Sequence, residues 1–230
     1  MGFSTGKELF REFVSSEWCQ REAFKKLREE FLSSSIPHVS LPRFLKPEIA
    51  ESWYRELQGA SYKISLDHFG RRRWPLPWEQ HVYGTVTGRY GLVREGHFLI
   101  GRLIENLFLS DYFSRVLTEM VGFPILLRYT GSQHKRMGEG NWVSPHNDHL
   151  KTRQITVIYY ATKGWKRAYG GSLSIGFWER PLFQIVPTFN ELFLMKLSDQ
   201  VYHSIGRIGK GARNRLRYSS IYWFSEKRHE

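Results

Sequence analysis

Cysteine is almost missing: Cys19 is the only one in 230 residues. That excludes an internal disulfide framework and leads us to expect a reducing, cytoplasmic setting. No apolar run is long enough to cross a bilayer, so no membrane span is expected. Met1 to Gly6 lacks the apolar core of a secretory leader, and Gly6 stands where a myristoylation signal needs Ser or Thr. Zinc-knuckle, helix-turn-helix and RNA-recognition signatures are also missing. The net charge of +12 therefore names no partner by itself. Most Lys and Arg are expected to solvate the surface, with denser clusters at Arg71-Arg72-Arg73 and at Arg207, Lys210, Arg213, Arg215 and Arg217. These clusters fit an acidic protein or carrier-bound partner ahead of nucleic acid. The chain is, by contrast, rich in core-forming residues: 41% are hydrophobic and 16% aromatic. Its length fits one domain.

The first third has helical periodicity. Leu9, Phe10, Phe13, Val14 and Trp18 recur at that spacing, as do Phe24, Leu27, Phe31 and Leu32. Ser33-Ser34-Ser35 stops the pattern, Ile36 to Leu45 reads as extended, and Pro47 suits the first turn of a helix over 46–57. A further helix is expected from Asp111 to Met120, ended by Gly122 and Pro124. Residues 60–96 give no clear pattern. Beyond 124 the pattern changes to short strands: 125–129, 154–160, 173–176, 182–186, 191–197 and 215–224. The expectation is an α+β chain that is mainly β at its core. Residues 1–124 would be a mainly helical support and 125–230 a jelly roll, together forming a single catalytic domain.

The pattern with chemical content lies in that second part. His146 and Asp148 are two apart, so on an extended segment their side chains share a side, while Asn147 and His149 face away. With His203, which follows the turn-like Ser198-Asp199, they make the ligand set of a two-His-one-carboxylate facial triad. Period two along the last strand puts Arg215, Arg217, Ser219, Ile221 and Trp223 on one face. An arginine buried there needs an anion, and a planar guanidinium takes a carboxylate bidentately. Arg217 lies deeper in the strand than Arg215 and is preferred for this role.

The ordered set Arg128-Tyr129, Pro145-His146-Asn147-Asp148, Ile155 to Tyr160, Trp165, Gly170-Gly171-Ser172-Leu173, Ser198-Asp199, His203 and Arg217-Tyr218 ahead of Trp223-Phe224 resembles the prolyl-4-hydroxylase-like 2-oxoglutarate/Fe(II) dioxygenases. That resemblance implies a double-stranded β-helix. It assigns Fe(II) to His146, Asp148 and His203, and 2-oxoglutarate to Arg217 with help from Tyr160. It also sets Tyr129 near the metal. The 14 residues from His203 to Arg217 include an apparent insertion, Gly206 to Gly211, which keeps Arg213 and Arg215 open as cosubstrate ligands. The implied reaction couples O2 and decarboxylation of 2-oxoglutarate to succinate and CO2 with hydroxylation of an unactivated C–H, ascorbate serving as reductant. Asp148 favours hydroxylation or desaturation, since related halogenases need a small residue there. His134 and Arg136 fall in a presumed loop before the ligands, and Trp142 and Trp178 are candidates to border the cleft. Substrate choice is expected to lie in residues 60–96 and 130–145. A protein, peptide or carrier-bound substrate leads, a small-molecule tailoring hydroxylase is the alternative, and a non-catalytic sensor of metal and 2-oxoglutarate is the third reading.

Overall fold

A computed structural model describes residues 5–67, 88–95, 98–148, 153–178 and 180–226. Local chemistry sets the helix ends. In α1 (Gly6–Phe13) Thr5 and Glu8 form a reciprocal capping box. The helix α2 (Arg21–Ser33) stops at the serine run, and α3 (Pro47–Gly59) starts on its proline. Then come α4 (Leu99–Leu109) and α5 (Asp111–Val121). Ser110 caps α5 by accepting from the Phe113 N–H at 3.0 Å, and Gly122, at φ 68°, closes it in the left-handed conformation.

The strands are β1 (His38–Leu41), β2 (Ser61–Asp67), β3 (Gly88–Glu95), β4 (Leu127–Met137), β5 (Trp142–His146) and β6 (Arg153–Tyr160). They continue with β7 (Leu173–Phe177), β8 (Arg180–Ile185), β9 (Glu191–Lys196), β10 (Val201–Ile205) and β11 (Arg217–Glu226). One antiparallel layer runs β1-β9-β6-β11-β4 and the other β5-β10-β7-β8. β3 bridges β4 to β5, and β2 adds to β3. This is the jelly-roll core, closed so that the two layers face each other.

Side-chain alternation divides the interior in two. Ile155, Val157 and Tyr159 of β6, with Tyr218, Tyr222 and Phe224 of β11, pack outward against the helices around Trp53, Phe108 and Phe113. Ile158 and Tyr160, with Ile221 and Trp223, point into the space between the layers and meet Val143, Ile175 and Met195. The helices thus cover one face of the larger sheet and free the other face for a site.

Several expectations need correction. Two strands lie before residue 124: β1, within the stretch 36–45 read as extended, joins the sheet beside β9, and β2, in the segment that gave no clear pattern, pairs with β3. The presumed loop 130–145 is mostly sheet, because β4 runs on to Met137 and β5 begins at Trp142. β11 begins at Arg217 rather than Arg215. β5, β10 and α4 had no counterpart in the sequence reading. Gly170 and Gly171 turn the chain ahead of β7, both at positive φ, 73° and 70°. A Cβ on Gly170 would stand 2.2 Å from the Arg207 carbonyl oxygen. Arg71-Arg72-Arg73, His149 and most of the unread segment 60–96 lie outside the described residues. Among the described residues, no helix is long and apolar enough to cross a membrane.

Candidate active site

His146 ends β5 and His203 lies mid-way along β10. The two strands pair antiparallel with these residues in register. Their rings are therefore neighbours across the ladder, 4.2 Å between centroids. Asp148 lies just past the end of β5 and turns back toward both. Its Oδ1 is 3.5 Å from His146 Nε2 and its Oδ2 3.5 Å from His203 Nε2. The three ligand atoms lie within 4.8 Å of one another.

Neighbouring groups hold this set in a metal-ready form. The Ser144 carbonyl oxygen is 2.8 Å from His146 Nδ1, so the ring donates through Nδ1 and leaves the Nε2 lone pair facing Asp148. Burial, reinforced by His203, pushes the His146 imidazole down to about 4, so it is neutral at pH 7. For Asp148, burial pulls toward the neutral acid, but His203 and His146, with the charge of Lys135, outweigh it. The carboxylate stays ionised, well below its usual range. Trp223 of β11 donates its indole N–H to Asp148 Oδ2 at 3.0 Å, and the Arg153 guanidinium lies 4.1 Å over the Trp223 ring. The Asn147 amide donates to the Ser198 carbonyl at 2.7 Å, tying the ligand segment to the turn before β10.

Arg217 points into the same interior and is 1% exposed. Its Nη1 is 3.2 Å from Ser219 Oγ, and its guanidinium carbon is 5.3 Å from the Tyr160 ring centroid. Arg217 Nε and the Tyr160 hydroxyl have no hydrogen-bond partner among the described residues. Burial lowers the Arg217 pKa, yet a guanidinium stays charged. Burial also raises the Tyr160 phenol, which remains a donor. A buried cation beside an unpaired phenol calls for an anionic acceptor. The distal carboxylate of a 2-oxo dicarboxylate meets that need, and two imidazoles with one carboxylate suit Fe(II). The residues present therefore fit both groups.

The other sequence candidates separate cleanly. Arg215 is exposed with its guanidinium 5.5 Å from the Tyr169 ring, and Arg213 is exposed too, so the structure brings neither to the interior. Tyr129 is on the helix-facing side of β4, against Phe224, with its hydroxyl 2.9 Å from Ser132 Oγ. The bulge between Trp223 and Phe224 sets it on the side away from the metal ligands. His134 and Arg136 share that outward face: His134 bonds Ser220 and packs edge-on to Trp53, and Arg136 covers Tyr62. Trp142 pairs with Arg207, and Trp178 with Tyr202. The sequence reading missed Gln133, Lys135 and Met137, which face inward. Extending the period-two reading of β4 beyond Tyr129 would have found them.

Residues 132–225 match the family model of the 2OG-Fe(II) oxygenase superfamily. That span contains the triad, Tyr160 and Arg217. No curated protein matches the chain in sequence. Among solved structures, the chain is similar to a Pseudomonas putida prolyl-4-hydroxylase, with 13% identity, TM-score 0.57, and 89% of this chain and 99% of that one covered. It is likewise similar to a Trichoplax adhaerens prolyl hydroxylase solved with a hypoxia inducible factor oxygen degradation domain peptide fragment. There the identity is 15%, the TM-score 0.60 and the coverage 91% and 96%. A non-heme alpha ketoglutarate dependent epimerase from nogalamycin biosynthesis has 11% identity and TM-score 0.60, with coverage of 90% and 84%. The chain therefore matches the 2OG-Fe(II) oxygenase superfamily over its C-terminal core, residues 132–225, and shares the fold of the prolyl-4-hydroxylase structures it is similar to.

Proposed function

We propose that this chain is a dioxygenase dependent on Fe(II), 2-oxoglutarate and O2, which hydroxylates an unactivated C–H of an amino-acid side chain in a protein, peptide or carrier-bound intermediate, releasing succinate and CO2. The observation that carries the reading is the shared interior: the triad of His146, Asp148 and His203 and the unpaired Arg217 Nε face the same space between the sheets. In this reading His146, Asp148 and His203 hold Fe(II), which when bound supplies the oxidising chemistry. Arg217 takes the distal carboxylate of 2-oxoglutarate and Tyr160 donates to it. Trp223 fixes the orientation of Asp148 through its indole N–H. Ile158, Ile175 and Val143 keep the interior apolar, which strengthens every charge interaction within it. A carboxylate at 148 leaves no vacated ligand position for a halide, which supports hydroxylation or desaturation.

A peptide substrate draws support from the Trichoplax neighbour, which was solved in complex with a peptide fragment, and from the net charge of +12. The epimerase neighbour favours a second reading, a tailoring oxidation of a small metabolite. A cytoplasmic location is part of the proposal, supported by Cys19 being the sole cysteine, exposed and free.

The test is succinate formation from 2-oxoglutarate with Fe(II), ascorbate and O2, with Asp148→Ala as the blank. The expected result is stimulation by the macromolecular fraction of a lysate, lost in Asp148→Ala, with a product one oxygen atom heavier than its substrate. Stimulation by small molecules alone would establish the tailoring reading instead. No turnover with either fraction, metal being bound, would overturn both in favour of a sensor.

A further inference from the structure

The interior contains a second cation. Antiparallel pairing sets Gly131, Lys135 and Met137 of β4 opposite Trp223, Ser219 and Arg217 of β11. The Arg217 and Trp223 side chains face the site, so Lys135, in step with them, faces it too. Lys135 is only 7% exposed. Along the strands its position is one inward step from the Arg217–Met137 pair, about 7 Å, on the way to the Trp223–Asp148 contact. An ammonium so deeply placed has a substantial desolvation cost, and here it shares a cavity wall with a guanidinium. Two cations one strand step apart on a single wall, with Lys135 on the side toward Trp223 and the triad, match a ligand with two separated carboxylates.

We propose that Lys135 is a cosubstrate-binding residue: its ammonium engages the carboxylate of the 2-oxo acid head while Arg217 engages the distal carboxylate. This rests on the 2-oxoglutarate reading above. The division suits the two side chains. The Arg217 fork holds one carboxylate in a fixed plane, whereas Lys135 is a point charge on a flexible stem that can follow the head group beside the metal.

Calorimetric titration of the Mn(II)-loaded full-length chain tests the assignment without turnover. The probes are 2-oxoglutarate and 2-oxobutyrate, which has the same head but no distal carboxylate. Lys135→Met is expected to weaken both probes by a similar factor, about tenfold to a hundredfold for a lost charged hydrogen bond. Arg217→Met is expected to weaken 2-oxoglutarate by a comparable factor and leave 2-oxobutyrate within about twofold. Lys135→Gln, run with a thermal melt, covers the case in which the Met variant does not fold. A merely structural lysine would change the melt without this split between probes. Unchanged binding in the Lys135 variants, loss of 2-oxoglutarate affinity alone, or wild-type failure to bind 2-oxobutyrate would each overturn the assignment. Failure of the wild type to bind 2-oxoglutarate would instead overturn the reading of the site on which it rests.

Discussion

At the scale of single residues, Trp223 has the most informative position. Its indole N–H donates to Asp148 Oδ2 at 3.0 Å, while Arg153 covers its ring. Trp223→Phe keeps the aromatic packing and removes the bond, so metal affinity should drop about tenfold or more, by analogy with other outer-shell partners. Competition with a chelator of known affinity measures it, and an unchanged affinity would refute the role. Asn190 is a structural counterpart. Held at φ 60°, it accepts from the Leu45 N–H and the Tyr159 hydroxyl and donates to the Leu45 carbonyl. Asn190→Ala should destabilise the fold by about 3 kcal/mol, since it orphans buried polar groups and strains the turn. Chemical denaturation reads this directly. The candidate ligands His146 and Asp148, and Arg217, were legible in sequence because period two placed them without knowledge of the partner strands, and His203 was found from the turn-like Ser198-Asp199 before it. Tyr129 was not. A bulge opposite it, between Trp223 and Phe224, resets the facing, and a bulge leaves no mark in a single strand's pattern.

At the scale of elements, what sequence concealed was long-range support. α3, α5, β6 and β9 follow from their own periodicity and caps. α4 does not, because the group that caps it is remote: the Glu56 carboxylate, on α3, accepts from the Ile100 and Gly101 N–H groups, both at 2.8 Å. Gly101 is also needed for packing, since a Cβ there would stand 2.2 Å from the Trp53 ring. Glu56→Ala should cost about 1 kcal/mol through lost capping and dipole interaction, and Glu56→Gln should recover part of it. Equal loss in both variants would show that the charge, and not the hydrogen bonding, matters. β5 and β10 escaped notice for a related reason. Each is five residues long, and each acquires its regularity from the other, through the His146–His203 pairing that also builds the candidate metal site.

At the scale of the whole molecule, the outward-facing core links stability to pH. His134 is buried against Trp53, Tyr222 and Ser220, and burial holds its pKa below 6.5, with Glu105 opposing. The unfolded chain protonates this histidine near 6.5, and the folded chain only at lower pH. Its contribution is complete above 6.5 and is lost as pH falls below that value. Urea midpoints should therefore fall on acidification, and less steeply in His134→Gln; parallel profiles would exclude the residue. The central claim concerns the other face, where the triad and Arg217 together receive Fe(II) and 2-oxoglutarate. The most direct measurement is an anaerobic titration of 2-oxoglutarate into the Fe(II)-loaded chain, following the visible absorption that appears when a 2-oxo acid coordinates ferrous iron. The account predicts a saturable signal in the wild type, a much weaker apparent affinity in Arg217→Met, and none in Asp148→Ala. No signal in a wild-type chain with iron bound would contradict it.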